Sequence, residues 1–368
     1  MIPQCNPHAG YIAHKHAIDA AIARVLDSGW YILGKEVESF EQEFAAWLGV
    51  HHAVGVANGT DAIELALRVA GVGCGDLVAT VSHTAVATVA AIRRCGAVPL
   101  FVDIEFDCFC MDPASLEQVL VTASNVKAVV VVHLYGQMAD MPAILEIASK
   151  YDLLVIEDCA QAHGAALNGR KAGTWGDFGC FSFYPTKNLG ALGDGGAVVT
   201  NDVSMADQLC ALRQYGWDDT RLSQFDGVNS RLDELQAAIL RVRLQNLDSD
   251  NQKRRSIANV YYSGLAALDA VITPTLCIGH EHVYHQFVVR VGNRDQVMQS
   301  LQQGGVATAI HYAQPAHLHP AYCVDRFMPV RLQNTEFMLS EILSLPMFPE
   351  LSLDIAEKVT DTMQRIMT

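Results

Sequence analysis

Short apolar runs separated by amphipathic stretches fill the first two thirds of the chain. Leu77 to Val81, Val98 to Val102 and Ala128 to Val132 are short apolar segments, broken only by Thr80, with the length and β-branched content of buried strands, and His52 to Ala57 alternates. Leu153 to Ile156 and Cys180 to Phe183 read as two more. Helical spacing marks Lys35 to Leu48, Ala85 to Cys95, Pro113 to Val121 and Val203 to Tyr215. This alternation predicts an α/β fold: a mostly parallel sheet covered by helices on both faces, with the ligand site outside the carboxyl ends of the strands. Ser230-Arg-Leu-Asp233 has the form of a capping box opening a long helix from Leu232. Beyond Asp248 the pattern changes. RRSIANVYYSGLAAL is a helical connector, and HVYHQFVVRV with the helical stretch Arg294 to Gln303 predicts a smaller α/β domain. The expected division is residues 1–248 and 249–368.

Composition narrows the function classes. With 368 residues, 51% of them hydrophobic, the chain can bury a large core. Forty acidic against 25 basic residues give a net charge of −15, which argues against nucleic acid or an anionic membrane as the main partner. Ten scattered cysteines without zinc-type spacing predict reduced, buried thiols. The amino terminus has no apolar signal core, and no apolar run approaches bilayer length, so a soluble cytoplasmic protein is expected. His311, His317 and His319 lie close together, but no carboxylate or cysteine stands at a regular ligand spacing beside them, and no metal is predicted.

Two charged residues stand out. The run Leu153 to Ile156 gives way at once to Glu157 and Asp158, and Lys187, 29 positions after Asp158, sits in a segment with Pro185 before it and Gly190, Gly193, Gly195 and Gly196 after it. A carboxylate at one strand end and a lysine just past another suit pyridoxal 5′-phosphate. The amine forms an imine with the aldehyde, while the acid keeps the pyridine nitrogen protonated so that the ring can take up electrons. Asn58-Gly-Thr-Asp61 makes a tight turn into a helix start, which serves as a phosphate site or as an ordinary cap. No G-x-G-x-x-G follows the first strand, which disfavours a nicotinamide-binding domain.

Three blocks carry a resemblance to a known family: IEDCAQAHGA from Ile156, FSFYPTKNLGALGDGG from Phe181 and GVNSRLDELQAAIL from Gly227. The chain resembles the DegT/DnrJ family of pyridoxal-phosphate-dependent sugar aminotransferases from about Gly29 to about Pro346. The resemblance implies the transferase fold of type I, with Lys187 as the Schiff-base lysine, Asp158 on the pyridine nitrogen and Gln161 on the phenolic oxygen. It further implies phosphate contacts from Ser182, Gly59, Thr60 and Asp61. Asn229 would reach the phosphate of a neighbouring subunit, which implies a homodimer with shared active sites. Tyr184, His311 and Tyr312 would line the sugar-nucleotide pocket. The chain departs from the family at Ala85, where many relatives place an aromatic ring against the cofactor; His83 is the substitute to look for. Tyr31, in the turn-rich Asp27 to Gly34, has packing and substrate contact as its two readings.

The activity so implied moves an amino group from an amino acid, expected to be L-glutamate, through pyridoxamine phosphate to a keto group on a nucleotide-linked deoxysugar. His282-Val-Tyr-His285-Gln-Phe and the later Arg294-Asp295 are similar to relatives that aminate C-3. The alternatives are C-4 amination and a non-catalytic regulatory member of the fold. Family dehydratases typically have histidine at the lysine position, and this chain has Lys187.

Overall fold

The computed structural model describes residues 1–322 and 331–367. Its centre is a seven-stranded sheet of β1 (His52–Val56), β2 (Leu77–Val81), β3 (Val98–Val102), β4 (Val126–Val132), β5 (Leu154–Asp158), β6 (Phe178–Ser182) and β7 (Gly196–Thr200). The spatial order is β1-β7-β6-β5-β4-β2-β3. Only β7 runs against the others in this sheet, pairing antiparallel with β1 and β6. The remaining six therefore deliver their carboxyl ends to one edge.

Alternate residues of the strands feed opposite layers, as the pleat requires. Val129 and Val131 join Val155, Phe181 and the aromatic side of helix Lys35–Leu48 (Phe40, Phe44) in one core. Ala128 and Val130 join Ile156, Cys180 and the inner faces of helices Gly59–Val69 and Val86–Arg94 in the other. Both faces are covered, so β4 has no position from Ala128 to Val132 that can be polar.

Most elements fall where the pattern places them. The capping box does not. The helix runs Glu234–Leu244 with Asp233 at its N-cap, and the Asp233 side chain makes no capping bond. Ser230 is fully buried instead; its hydroxyl donates to Asp61 Oδ2 (2.7 Å) and accepts from Ala57 N (3.0 Å). Tertiary partners at the end of β1 outcompete the local cap. Glu234 also acts at a distance, accepting from the backbone N–H groups of Gly34, Glu36 and Val37 at 2.7, 3.0 and 2.9 Å. It thereby supplies acceptors that the start of helix Lys35–Leu48 lacks internally.

Helix Leu247–Leu265 leads into a third core of Tyr261, Phe287, Val289, Leu301, Leu343 and Val359. Its three-stranded antiparallel sheet orders Val271–Ile272, Phe287–Val291 and Ile342–Leu345, with helices Arg294–Gln303 and Leu353–Met367 against it. Ile2 bridges Val306 and packs on this core. Among the described residues, no helix is long and apolar enough to cross a membrane.

Candidate active site

A cavity of about 340 Å³ opens at the carboxyl edge of the main sheet. Gly59, Thr60, Asp158, Gln161, Ser182, Tyr184, Lys187, His311 and Tyr312 all line it, so residues spread over 250 positions meet in one place. Neither Asp61 nor Asn229 is among the lining residues. The Asp61 carboxylate takes Arg94 Nη1 at 2.9 Å and Ser230 Oγ at 2.7 Å. Asn229 is exposed in the loop leading to Ser230 and bridges Gln214.

Asp158 is the last residue of β5 and is 5% exposed. Thr88 Oγ1 donates to its Oδ2 (2.8 Å) and Ala160 N to its Oδ1 (3.1 Å). Thr88 is within 3.0 Å of Thr84 Oγ1, so two hydroxyls back the carboxylate from helix Val86–Arg94 and the turn before it. No sequence signal marked Thr88. Its neighbour Glu157 points to the other side of the strand. There it is fully buried and accepts from the N–H groups of Gly173, Trp175 and Gly176 at 2.9, 2.7 and 2.8 Å.

Glu157 also lies 2.9 Å from His133 Nε2. With Cys159 these two form a buried group of metal-ligating type. Yet His133 Nδ1 already accepts from Ala139 N (3.2 Å), and the Glu157 oxygens are taken up by backbone donors. The histidines near residue 311 likewise have separate partners: His311 Nδ1 meets Ser344 Oγ (2.8 Å), His317 Nδ1 meets Ser82 Oγ (2.6 Å), and His319 Nε2 meets the Gln314 carbonyl (3.3 Å).

Lys187 follows β6 on a tight loop whose backbone is held by Lys187 N to Tyr184 O (2.8 Å). Burial pushes its amine down to about 8, against the opposing pull of the Asp158 carboxylate. Across the cavity, Gln161 Oε1 accepts from Tyr135 N (2.8 Å) and its Nε2 donates to Tyr312 Oη (3.0 Å). Burial keeps His311 neutral, pushed to about 4, and raises the Tyr312 phenol to about 12.

The phosphate end is built from backbone. Asn58 caps helix Gly59–Val69 by accepting from Asp61 N (2.9 Å), leaving Gly59 and Thr60 at a helix start where N–H groups lack intrahelical acceptors. A Cβ added at Gly59 would sit 2.6 Å from Ser182 Cβ, so the glycine lets the start of helix Gly59–Val69 approach the end of β6 closely at this point. Ala85 lines the cavity and His83 does not. His83 is fully buried behind the wall, with Nε2 2.8 Å from Tyr135 Oη, and burial alone pushes it down to about 4. It is therefore no substitute for the missing aromatic face. Tyr31 is half exposed, away from the cavity lining. The lining residues not singled out from sequence include Ile63, Thr84 and Asp194.

A carboxylate, a lysine and an anion cradle at a helix start, all on one cavity, define a site of the amine-transferring, fold type I class. The chain belongs to the DegT/DnrJ/EryC1/StrS aminotransferase family, whose model matches residues 13–364. It is 45% identical over 365 residues to the dTDP-3-amino-3,6-dideoxy-alpha-D-galactopyranose transaminase of Aneurinibacillus thermoaerophilus, covering 99% of each chain. The crystal structure of S. venezuelae DesV in complex with a ketimine intermediate matches with a TM-score of 0.96 at 44% identity, covering 99% of this chain and 98% of that one. NtdA from Bacillus subtilis with bound cofactor PMP matches at 0.89 and 31% identity, covering 96% and 82%. This chain is an aminotransferase.

Proposed function

We propose that the protein transfers an amino group from L-glutamate to the C-3 keto position of a dTDP-linked deoxysugar, using pyridoxal phosphate. The observation that carries this reading is the placement of Lys187 and Asp158 on one cavity with the Gly59–Thr60 helix start and Ser182. The dTDP-3-amino-sugar transaminase at 45% identity favours C-3 and thymidine over the other sugar positions and nucleotides.

The residues present fit the cofactor. The backbone N–H groups of Gly59 and Thr60 and the Ser182 hydroxyl would hold its phosphate, the Asp158 carboxylate its ring nitrogen, and Gln161 Nε2 its phenolic oxygen. When bound, it supplies an electron-accepting ring and the carrier atom for the amino group. Lys187 holds and moves the proton at the donor Cα, then at the sugar carbon in the reverse half, a role suited to an amine titrating near 8. Thr88 and Ala160 N fix the Asp158 carboxylate without neutralising it. Tyr184, His311 and Tyr312 present phenol and neutral imidazole groups to sugar and phosphate oxygens.

The working assembly in this reading is a homodimer in which Asn229 completes the neighbouring site. Its support is the exposed position of Asn229 on a face that also exposes Leu222 and Phe225. The nine described cysteines are all free thiols, which supports a cytoplasmic location. The two-domain division near residue 248 rests on the separate core that begins with helix Leu247–Leu265. The test is incubation of the loaded enzyme with glutamate and matched 3-keto and 4-keto dTDP sugars, with the new C–N bond located by NMR. Nitrogen at C-3 supports the assignment; nitrogen at C-4 alone, or none, overturns it.

A further inference from the structure

A second, smaller cavity lies behind the loop that carries Lys187. Residues 185–188 form one wall, and His14, Arg243, Arg254 and Glu350 form others around about 40 Å³. At about 10–15 Å³ per water, that is room for roughly three water-sized groups. Arg254 is 4% exposed, and its Nη1 donates to the Tyr284 and Met347 carbonyls at 3.1 and 3.2 Å. Its Nε is buried with no hydrogen-bond partner. The same is true of Arg243 Nε, Arg243 Nη2 and His14 Nε2. Four polar nitrogens on one small cavity are thus unsatisfied, which native interiors avoid.

The charges do not balance either. Asp250 pairs with Lys253 at 2.8 Å and lies 3.9 Å from His14 Nε2. Among the described residues, Glu350 forms no ion pair, although it faces the same space. Leaving aside Lys187, whose amine serves the active-site cavity, and with Asp250 matched by Lys253, two guanidiniums face one carboxylate, an excess of one positive charge. Burial lowers the pKa of both arginines, Arg254 to about 10, despite the attraction of Glu350 and Asp250. A buried cation left in this state is costly until an acceptor joins it.

We propose that this cavity binds one small monovalent anion, a halide or a carboxylate of formate size, between the Arg243 and Arg254 side chains. The anion would supply the acceptors and the single negative charge that the lining lacks, and the volume excludes a nucleotide or an amino acid donor.

The direct test is a crystal of the holoenzyme in sodium bromide, which should show an anomalous peak in this cavity. In solution, the melting temperature of the holoenzyme is followed against chloride, formate and gluconate at fixed ionic strength. It should rise with chloride, with or without formate, and stay flat in gluconate, which is too large to enter. A formate response alongside chloride extends the site to carboxylates, and its absence restricts the site to halides. Arg243→Gln should abolish the anion-specific rise, whereas Glu350→Gln should bring it on at lower anion concentration. No bromide peak in the wild-type crystal, or an equal rise in gluconate, overturns the proposal.

Discussion

The low pKa of Lys187 makes a prediction that can be measured without any sugar substrate. An ordinary lysine titrates near 10.5, so at pH 7 only about 1 in 3000 amines is neutral; a group titrating near 8 is about one-tenth neutral. The difference is a roughly 300-fold larger pool of nucleophilic amine. Cofactor-stripped enzyme treated with a small aldehyde and cyanoborohydride from pH 6 to 10, with labelled peptides quantified by mass spectrometry, reads this pool for each lysine. Labelling of Lys187 should rise with pH and level off above about 8, while the other lysine peptides continue to rise. The sign for Asp158→Asn also follows. The carboxylate raises the Lys187 pKa against burial, so its removal should move the Lys187 midpoint below that of the wild type. A Lys187 midpoint near 10.5, or an upward shift in Asp158→Asn, would refute the account of how this amine is tuned.

Other consequences are open to simpler assays. Lys187→Ala should lower amino transfer by about 10³-fold or more, with an unchanged circular dichroism spectrum, because the proton carrier is gone; near wild-type turnover would contradict the assigned role. Asp158→Asn should cost about 10²-fold in turnover, because the carboxylate that keeps the ring nitrogen protonated, and so the ring electron-accepting, is lost, and steady-state kinetics decides it. Gly59→Ala places a methyl 2.6 Å from Ser182 Cβ and should destabilise the fold by about 1–3 kcal/mol in urea while weakening cofactor retention. Glu157→Ala removes the acceptor for three backbone N–H groups and His133 and should cost about 3–5 kcal/mol, read by the same unfolding experiment.

Strands were legible because covering both faces of a sheet demands unbroken apolar runs; β2 and β3 begin and end where their hydrophobicity does. Asp158 and Lys187 were legible chiefly through the blocks IEDCAQAHGA and FSFYPTKNLGALGDGG that carry the family resemblance, because a charge at a strand end can equally be structural, as Glu157 beside Asp158 is. Ser230 misled because a capping box is a purely local pattern, and its hydroxyl is claimed by Asp61 and Ala57, 169 and 173 positions away. The resemblance implied a phosphate contact for Asp61 at the same helix start, and the structure places its side chain against Arg94 and Ser230, outside the cavity lining. The support of Asp158 by Thr88 is a hydrogen bond between residues 70 positions apart, which leaves no trace in the spacing of residues.

The adjacent acids at the end of β5 divide their labour by the pleat alone, Glu157 stitching three peptide groups on one side and Asp158 facing the cavity on the other. A slip of this strand by one position would exchange the two carboxylates, sending the longer side chain toward the ligand and leaving the stitched loop short of an acceptor. Insertions or deletions inside Leu154–Asp158 should therefore be far more damaging than substitutions there, and evolution of new specificities has to proceed through the loops beyond that strand rather than through its length.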